Sequence, residues 1–199
     1  MSSCKIIGVG GAGWNLVAAI CSAGQKSNPA QTTEYIYLDL GTQSMLPDQA
    51  ICNVVESRPP ISKILLAPHG SGGSVNAARA AALRNIDVLK AAVSGLNTAI
   101  VVAGLGGGTG SAVAPILARL ARGAGVATIA TVVMPFNFEG PRNGTAVTAL
   151  RNLEREVDLV MPFSNQKLGD SMGDGALLAD IYAQQDRRIT AWLQKFNLG

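Results

Sequence analysis

The sequence has a single histidine, His69, and three cysteines, Cys4, Cys21 and Cys52, with no metal-ligand spacing among them. A zinc site built from Cys and His is therefore not expected. The odd cysteine number also argues against a disulfide framework. Charge is sparse, at 15% of residues, and nets only +3. Its arginines are scattered, with no basic stripe interleaved with aromatics, so neither DNA nor RNA is an expected partner. No apolar run reaches the roughly 18 residues of a transmembrane helix. The opening MSSCKIIGVG is no signal peptide: its apolar run is short and meets a glycine turn at once. A G-x-x-x-x-G-K-[ST] phosphate loop is missing as well. These absences predict a reduced, cytoplasmic, soluble protein. At 199 residues and 48% apolar, the chain suits one domain over residues 1–199 with a sizeable core.

Glycine is what the sequence has in excess, and it is clustered. Lys5 to Val9 reads as a strand running into GVGGAGWN, Gly8 to Asn15, and then a helix to about Ser22. Further strands are expected at Tyr35–Leu38, Ile51–Val55, Thr98–Ala103, Val126–Met134 and Leu159–Phe163. Helices are expected at Val75–Val93 after the N-cap residue Ser74, at Ala112–Arg122 with Pro115 in its first turn, at Thr145–Val157 and at Ala176–Phe196. Alternating strands and helices, with strands apolar throughout, predict an α/β fold. It would be a Rossmann-like three-layer domain with a mostly parallel sheet, ending in a long core helix. Ligands of such sheets sit at the carboxyl ends of the strands.

GLGGGTGS, Gly104 to Ser111, follows the apolar strand and opens a helix. Phosphate needs backbone N–H donors at close range, and glycines remove the side chains that would block it. Five glycines lie between Gly104 and Gly110, a costly arrangement in folding entropy for a turn without a ligand. Thr109 and Ser111 add hydroxyl donors. GVGGAG, Gly8 to Gly13, also fits the dinucleotide fingerprint G-x-G-x-x-G, with Asp39 as its acidic partner after the second strand. An NAD- or FAD-dependent enzyme is thus an alternative, although it accounts for neither GLGGGTGS nor PFNFEG.

Four segments together resemble the FtsZ/tubulin family, in particular the N-terminal GTP-binding domain of bacterial FtsZ. GLGGGTGS resembles the family signature loop. PFNFEG, Pro135 to Gly140, resembles its ribose loop, IIGVGGAGWN its first phosphate loop, and HGSGGSVNAAR, His69 to Arg79, the loop that senses the terminal phosphate. The resemblance implies GTP or GDP as ligand, with Mg²⁺ as a possible companion. It places Gly10, Gly11, Ala12 and Asn15 under the phosphates and near the base, with Gly72 and Gly73 at the terminal phosphate. Gly106, Gly107, Gly108, Thr109 and Gly110 would hold the phosphates, and Glu139 the ribose hydroxyls. Arg142 and Asn143 follow the ribose loop. Asn165 in PFSNQKL and Asp186 on the final helix would read guanine. A carboxylate suits guanine, which offers two N–H hydrogens in a pattern adenine lacks; without the resemblance Asp186 reads as a solvated helix charge.

The departures from the family pattern carry expectations too. Trp14 replaces a small residue and would either stack near the base or pack on its helix. Ser74-Val75 replaces an Asn-Pro pair, while Arg79 is retained. The arginine of the ribose loop stands one place early, at Arg142, with Asn143 in its place. FtsZ continues beyond the long helix into a second domain whose acidic loop enters the next subunit's nucleotide site. This sequence ends at Gly199, and no catalytic residue is assigned. The resemblance therefore implies nucleotide binding with weak or partner-dependent hydrolysis. Expected partners are the chain itself or a full-length FtsZ-type protein, in a cell-division filament that this chain joins or regulates. Self-polymerisation through another interface is the other possibility. Trp192, Leu193 and Phe196 would either fold onto the sheet or meet a partner.

Overall fold

The computed structural model describes residues 3–24, 33–41, 61–67 and 69–195. Strands β1 (Cys4–Val9), β2 (Thr33–Asp39), β3 (Ile61–Leu65), β4 (Thr98–Gly104), β5 (Ala127–Met134) and β6 (Leu159–Ser164) form one parallel sheet in the order β3-β2-β1-β4-β5-β6. The helices are α1 (Gly10–Gly24), α2 (Val75–Arg84), α3 (Ile86–Val93), α4 (Gly108–Gly123), α5 (Pro141–Glu154), α6 (Asn165–Met172) and α7 (Leu178–Gln194). The expected Rossmann-like α/β architecture is present, and it ends in the long helix α7.

Period-two alternation divides the apolar strand residues between two cores. Ile6 lies beside Tyr35 and Ile100, and that row packs under α1 and α7 with Val17, Ile189 and Leu193. Ile7 lies beside Ile36 and Val101, and the opposite row packs under α2, α3, α4 and α5. Both faces are therefore covered, which explains why the strands read as continuous apolar runs. The strand order reverses direction between β1 and β4, the crevice where open α/β sheets take ligands.

Several expected elements shift. The single helix over Val75–Val93 breaks at Asn85. The Asn85 side chain donates to Ala81 O and Leu66 O, each at 2.8 Å, so it competes with the helix ladder and anchors the break to the loop after β3. Helix α4 begins at Gly108 rather than Ala112, so Pro115 lies inside it instead of in its first turn. Helix α5 begins at Pro141, whose fixed φ and missing N–H suit a first helical position. Helix α6 was not expected; Ser164 caps it by accepting from Lys167 N at 3.2 Å, and Gly173 ends it at φ 88°. The expected strand Ile51–Val55 lies outside the described residues, as does Phe196. The third described strand is Ile61–Leu65.

The final helix folds onto the sheet through Ile189 and Leu193, and the Trp192 ring meets Phe163 edge-on at 6.1 Å. Trp14 is also core. It is 1% exposed, its ring lies 5.0 Å from that of Tyr37, and Lys63 Nζ sits 5.1 Å above it. It is absent from the walls of the cavity described below.

Close helix–strand approach holds α1 in place. A Cβ on Gly13 would lie 2.8 Å from both Gly8 C and Val102 O, backbone atoms that cannot swing aside. Gly13→Ala is expected to lower stability by about 1–3 kcal/mol. Gly144→Ala, inside α5 with open space around it, is expected to raise stability by about 0.5–1 kcal/mol. Urea unfolding midpoints of the two variants check both signs.

Candidate functional site

A cavity of about 540 Å³ opens at the carboxyl ends of β1, β4 and β5. Its first wall is the start of α1, with Gly10, Gly11, Ala12 and Asn15. Its second is the start of α4, with Gly107, Gly108, Thr109 and Gly110. The first four N–H groups of any α-helix have no partner within the helix, and the aligned peptides put about half a positive charge there. Two helix N-termini thus converge on one space. The earlier start of α4 matters here, because it makes Gly108, Thr109 and Gly110 its first turn rather than a loop ahead of it. Gly110 needs to be glycine because a Cβ would run into Gly104 O.

The loop before α4 is braced from within. Gly106 sits at φ 99°, and its N–H donates to the buried Ser111 hydroxyl at 2.8 Å. Ser111 therefore holds the loop and does not line the cavity, contrary to its expected part as a donor there. Gly73 and Ser71 form a third wall beside Gly108. Gly72 and Gly106 are not among the lining residues.

The opposite end is built from side chains. In the turn Asn137–Glu139, Glu139 accepts from Phe136 N at 2.9 Å and from Arg142 Nη1 at 2.6 Å. Each carboxylate oxygen keeps acceptor capacity beyond that one partner, and Glu139 lines the cavity. Arg142 Nη2 lies 3.4 Å from the position a Cβ on Gly107 would take, so the guanidinium reaches over the glycine loop. Asn143 stands behind this wall. Its Nδ2 donates to Phe136 O at 3.0 Å and to Asn137 O and Gly140 O at 3.3 Å, which ties the turn shut.

Asn165, at the start of α6, and Asp186, on α7, complete the far end. Burial pushes the Asp186 carboxyl above its ordinary range, and neighbouring Arg187 pulls it partly back. Tyr182 and Gln185 join them in the wall. Sequence reasoning passed over Ser71, Tyr182 and Gln185. The i, i+3 and i+4 spacing of Tyr182, Gln185 and Asp186 on one helix was the available signal for the last two.

The dinucleotide alternative needs Asp39 at the ligand. Asp39 instead accepts from the Tyr37 hydroxyl and from Leu40 N at 2.7 Å, and it is not among the lining residues. No group of three His, Cys, Asp or Glu side chains that could hold a metal occurs among the described residues. No helix there is long and apolar enough to cross a membrane.

Comparison with known proteins agrees with this fold. The chain matches the family model "Tubulin/FtsZ family, GTPase domain" over residues 3–173. It is 33% identical over 183 residues to the cell division protein FtsZ of Pseudomonas aeruginosa and 29% identical over 182 residues to that of Neisseria gonorrhoeae. Each alignment covers 92% of this chain and 44% of the relative, so the chain spans less than half the length of either. The fold is similar to that of an empty FtsZ dimer from M. jannaschii, with a TM-score of 0.76 and 24% identity over 96% of this chain and 52% of the other. It is similar also to a GTPγS-bound protofilament of CetZ2 from Haloferax volcanii, with a TM-score of 0.77 and 22% identity over 98% and 58%. A family match over residues 3–173, most of its length, means that this chain belongs to the Tubulin/FtsZ family and carries its GTPase domain.

Proposed function

We propose that the cavity binds GTP or GDP as the site of a single nucleotide-binding domain. The observation that carries this reading is the polarity of the cavity. One end is walled by the N-termini of two helices, and the other by a half-buried carboxylate on α7. N–H groups from Gly10, Gly11 and Ala12, and from Gly108, Thr109 and Gly110, suit the phosphates. Ser71 and Gly73 extend that wall towards a terminal phosphate, and Arg142, held by Glu139, adds a positive charge beside it. Glu139 suits the ribose hydroxyls. Asp186 suits guanine, since an ionised carboxylate only accepts hydrogen bonds and guanine donates two side by side.

Mg²⁺ would be bound mainly by phosphate oxygens and water, because the phosphate end presents backbone and the hydroxyls of Ser71 and Thr109 but no carboxylate. The same composition bears on hydrolysis. Attack by water needs a group to orient it. The carboxylates among the described lining residues are Glu139, tied to Arg142, and Asp186, at the base end. A water-orienting acid is therefore contributed from outside this surface, and hydrolysis is weak until a partner supplies it. Exposed apolar side chains on the turn that carries Glu139 and at the start of α7 favour such a partner. Phe138 is 68% exposed and stacks on Phe136, which meets Tyr182 edge-on; Leu177 is 67% exposed at the start of α7. The partner is a second copy of the chain or a full-length FtsZ-type protein, in a cytoplasmic filament of the kind used in cell division.

Nucleotide extracted from the purified chain is expected to be GDP or GTP. Phosphate release per chain is expected to be slow in dilute solution and to rise with protein concentration or with added FtsZ-type partner. Fast turnover that does not depend on concentration would contradict the partner requirement.

Asp186→Asn is expected to weaken GTP binding about tenfold or more, since an amide cannot accept both guanine hydrogens. Its ligand-free melting temperature is expected to hold or rise. The folded-state pKa of Asp186 is raised, so the ionised form present at neutral pH is the one that burial penalises. GTP binding requires that ionised form. Affinity should therefore fall on acidification, beginning above the ordinary aspartate value of about 3.9. Titration calorimetry across pH checks this, and Asp186→Asn is expected to flatten that part of the profile.

A further inference from the structure

Two buried side-chain polar atoms among the described residues lack a hydrogen-bond partner: Thr131 Oγ1 and Gln185 Oε1. Thr131 belongs to β5 and does not line the cavity. Gln185 does line it, although only 2% of its surface is exposed. Its other end is committed. Gln185 Nε2 donates to Asn165 Oδ1 at 3.3 Å, linking α7 to α6. With the nitrogen held, the atom left without a partner is an oxygen, which only accepts.

A buried amide oxygen without a donor is costly, and a ligand donor removes that cost. Guanine carries three N–H bonds along its recognition edge, one on N1 and two on the exocyclic amine. A single carboxylate accepts the N1 hydrogen and one amino hydrogen, which leaves the second amino hydrogen without an acceptor. Resting on the guanine reading, we propose that Gln185 is a specificity-determining residue whose Oε1 accepts that second hydrogen. The base is then read by two adjacent residues of α7, with Asn165 holding the Gln185 amide in the orientation that presents oxygen. A base with a lone pair in place of the amine meets an acceptor facing an acceptor.

The test compares GTP with ITP, whose base lacks the exocyclic amine, by titration calorimetry on the full chain. Gln185→Met keeps an unbranched side chain of similar volume; Gln185→Leu is the second variant, with the same expectation. Each is expected to weaken GTP about tenfold and leave ITP within about twofold, so the preference for GTP falls about tenfold. Melting temperatures of the ligand-free variants separate this loss from misfolding. Equal losses for both nucleotides would mean that Gln185 acts only by holding Asn165, and would overturn the proposal. So would an unchanged GTP preference, while leaving the guanine reading intact. A wild-type chain that binds neither nucleotide defeats the guanine reading and the role of Gln185 with it.

Discussion

Unpaired backbone N–H groups at the start of a helix need an acceptor, and this fold brings two such starts to one point. The cause is topological. β1 and β4 are neighbours and parallel, and the helices that follow them leave for opposite faces of the sheet. Their first turns therefore open side by side. The Gly8–Gly13 contact lets α1 press against β1 and β4 closely enough for this to happen. Every other part of the site is arranged around that concentration of donors.

Chemical character changes across the cavity for a physical reason. Backbone amides cannot be titrated or swung away, so the end they build is fixed in charge. The other end depends on side chains held by neighbours: Glu139 by Phe136 N and Arg142, Gln185 by Asn165. The costly member is Asp186, whose charged form burial disfavours. Such local costs are common where a protein keeps a surface ready for a ligand rather than for its own stability.

The parts legible in sequence were those with a local cause. Glycine clustering marks the turns around Gly10–Gly13 and Gly104–Gly110 without tertiary knowledge, and continuous apolar strands imply a sheet covered on both sides. What stayed hidden depends on contacts between distant residues. Asn85 breaks its helix because Leu66 O is within reach. Trp14 reads as open between stacking near the base and packing on its helix, and Tyr37 and Lys63 around it decide for packing. Ser111 turns inward to satisfy Gly106 N. Gln185 is an ordinary polar helix residue until α6 stands beside it.

The small apolar cluster of Phe136, Leu168 and Ile181 joins the loop after β5 to α6 and α7, apart from the two large cores. It fastens three distant stretches of chain that also carry the cavity residues Glu139, Asn165 and Gln185. The ordering entropy of Glu139, Asn165 and Gln185 is thus spent when the chain folds, not when a ligand arrives. A visiting molecule meets a gauge of fixed shape, and one whose hydrogen pattern is wrong cannot persuade the wall to rearrange around it.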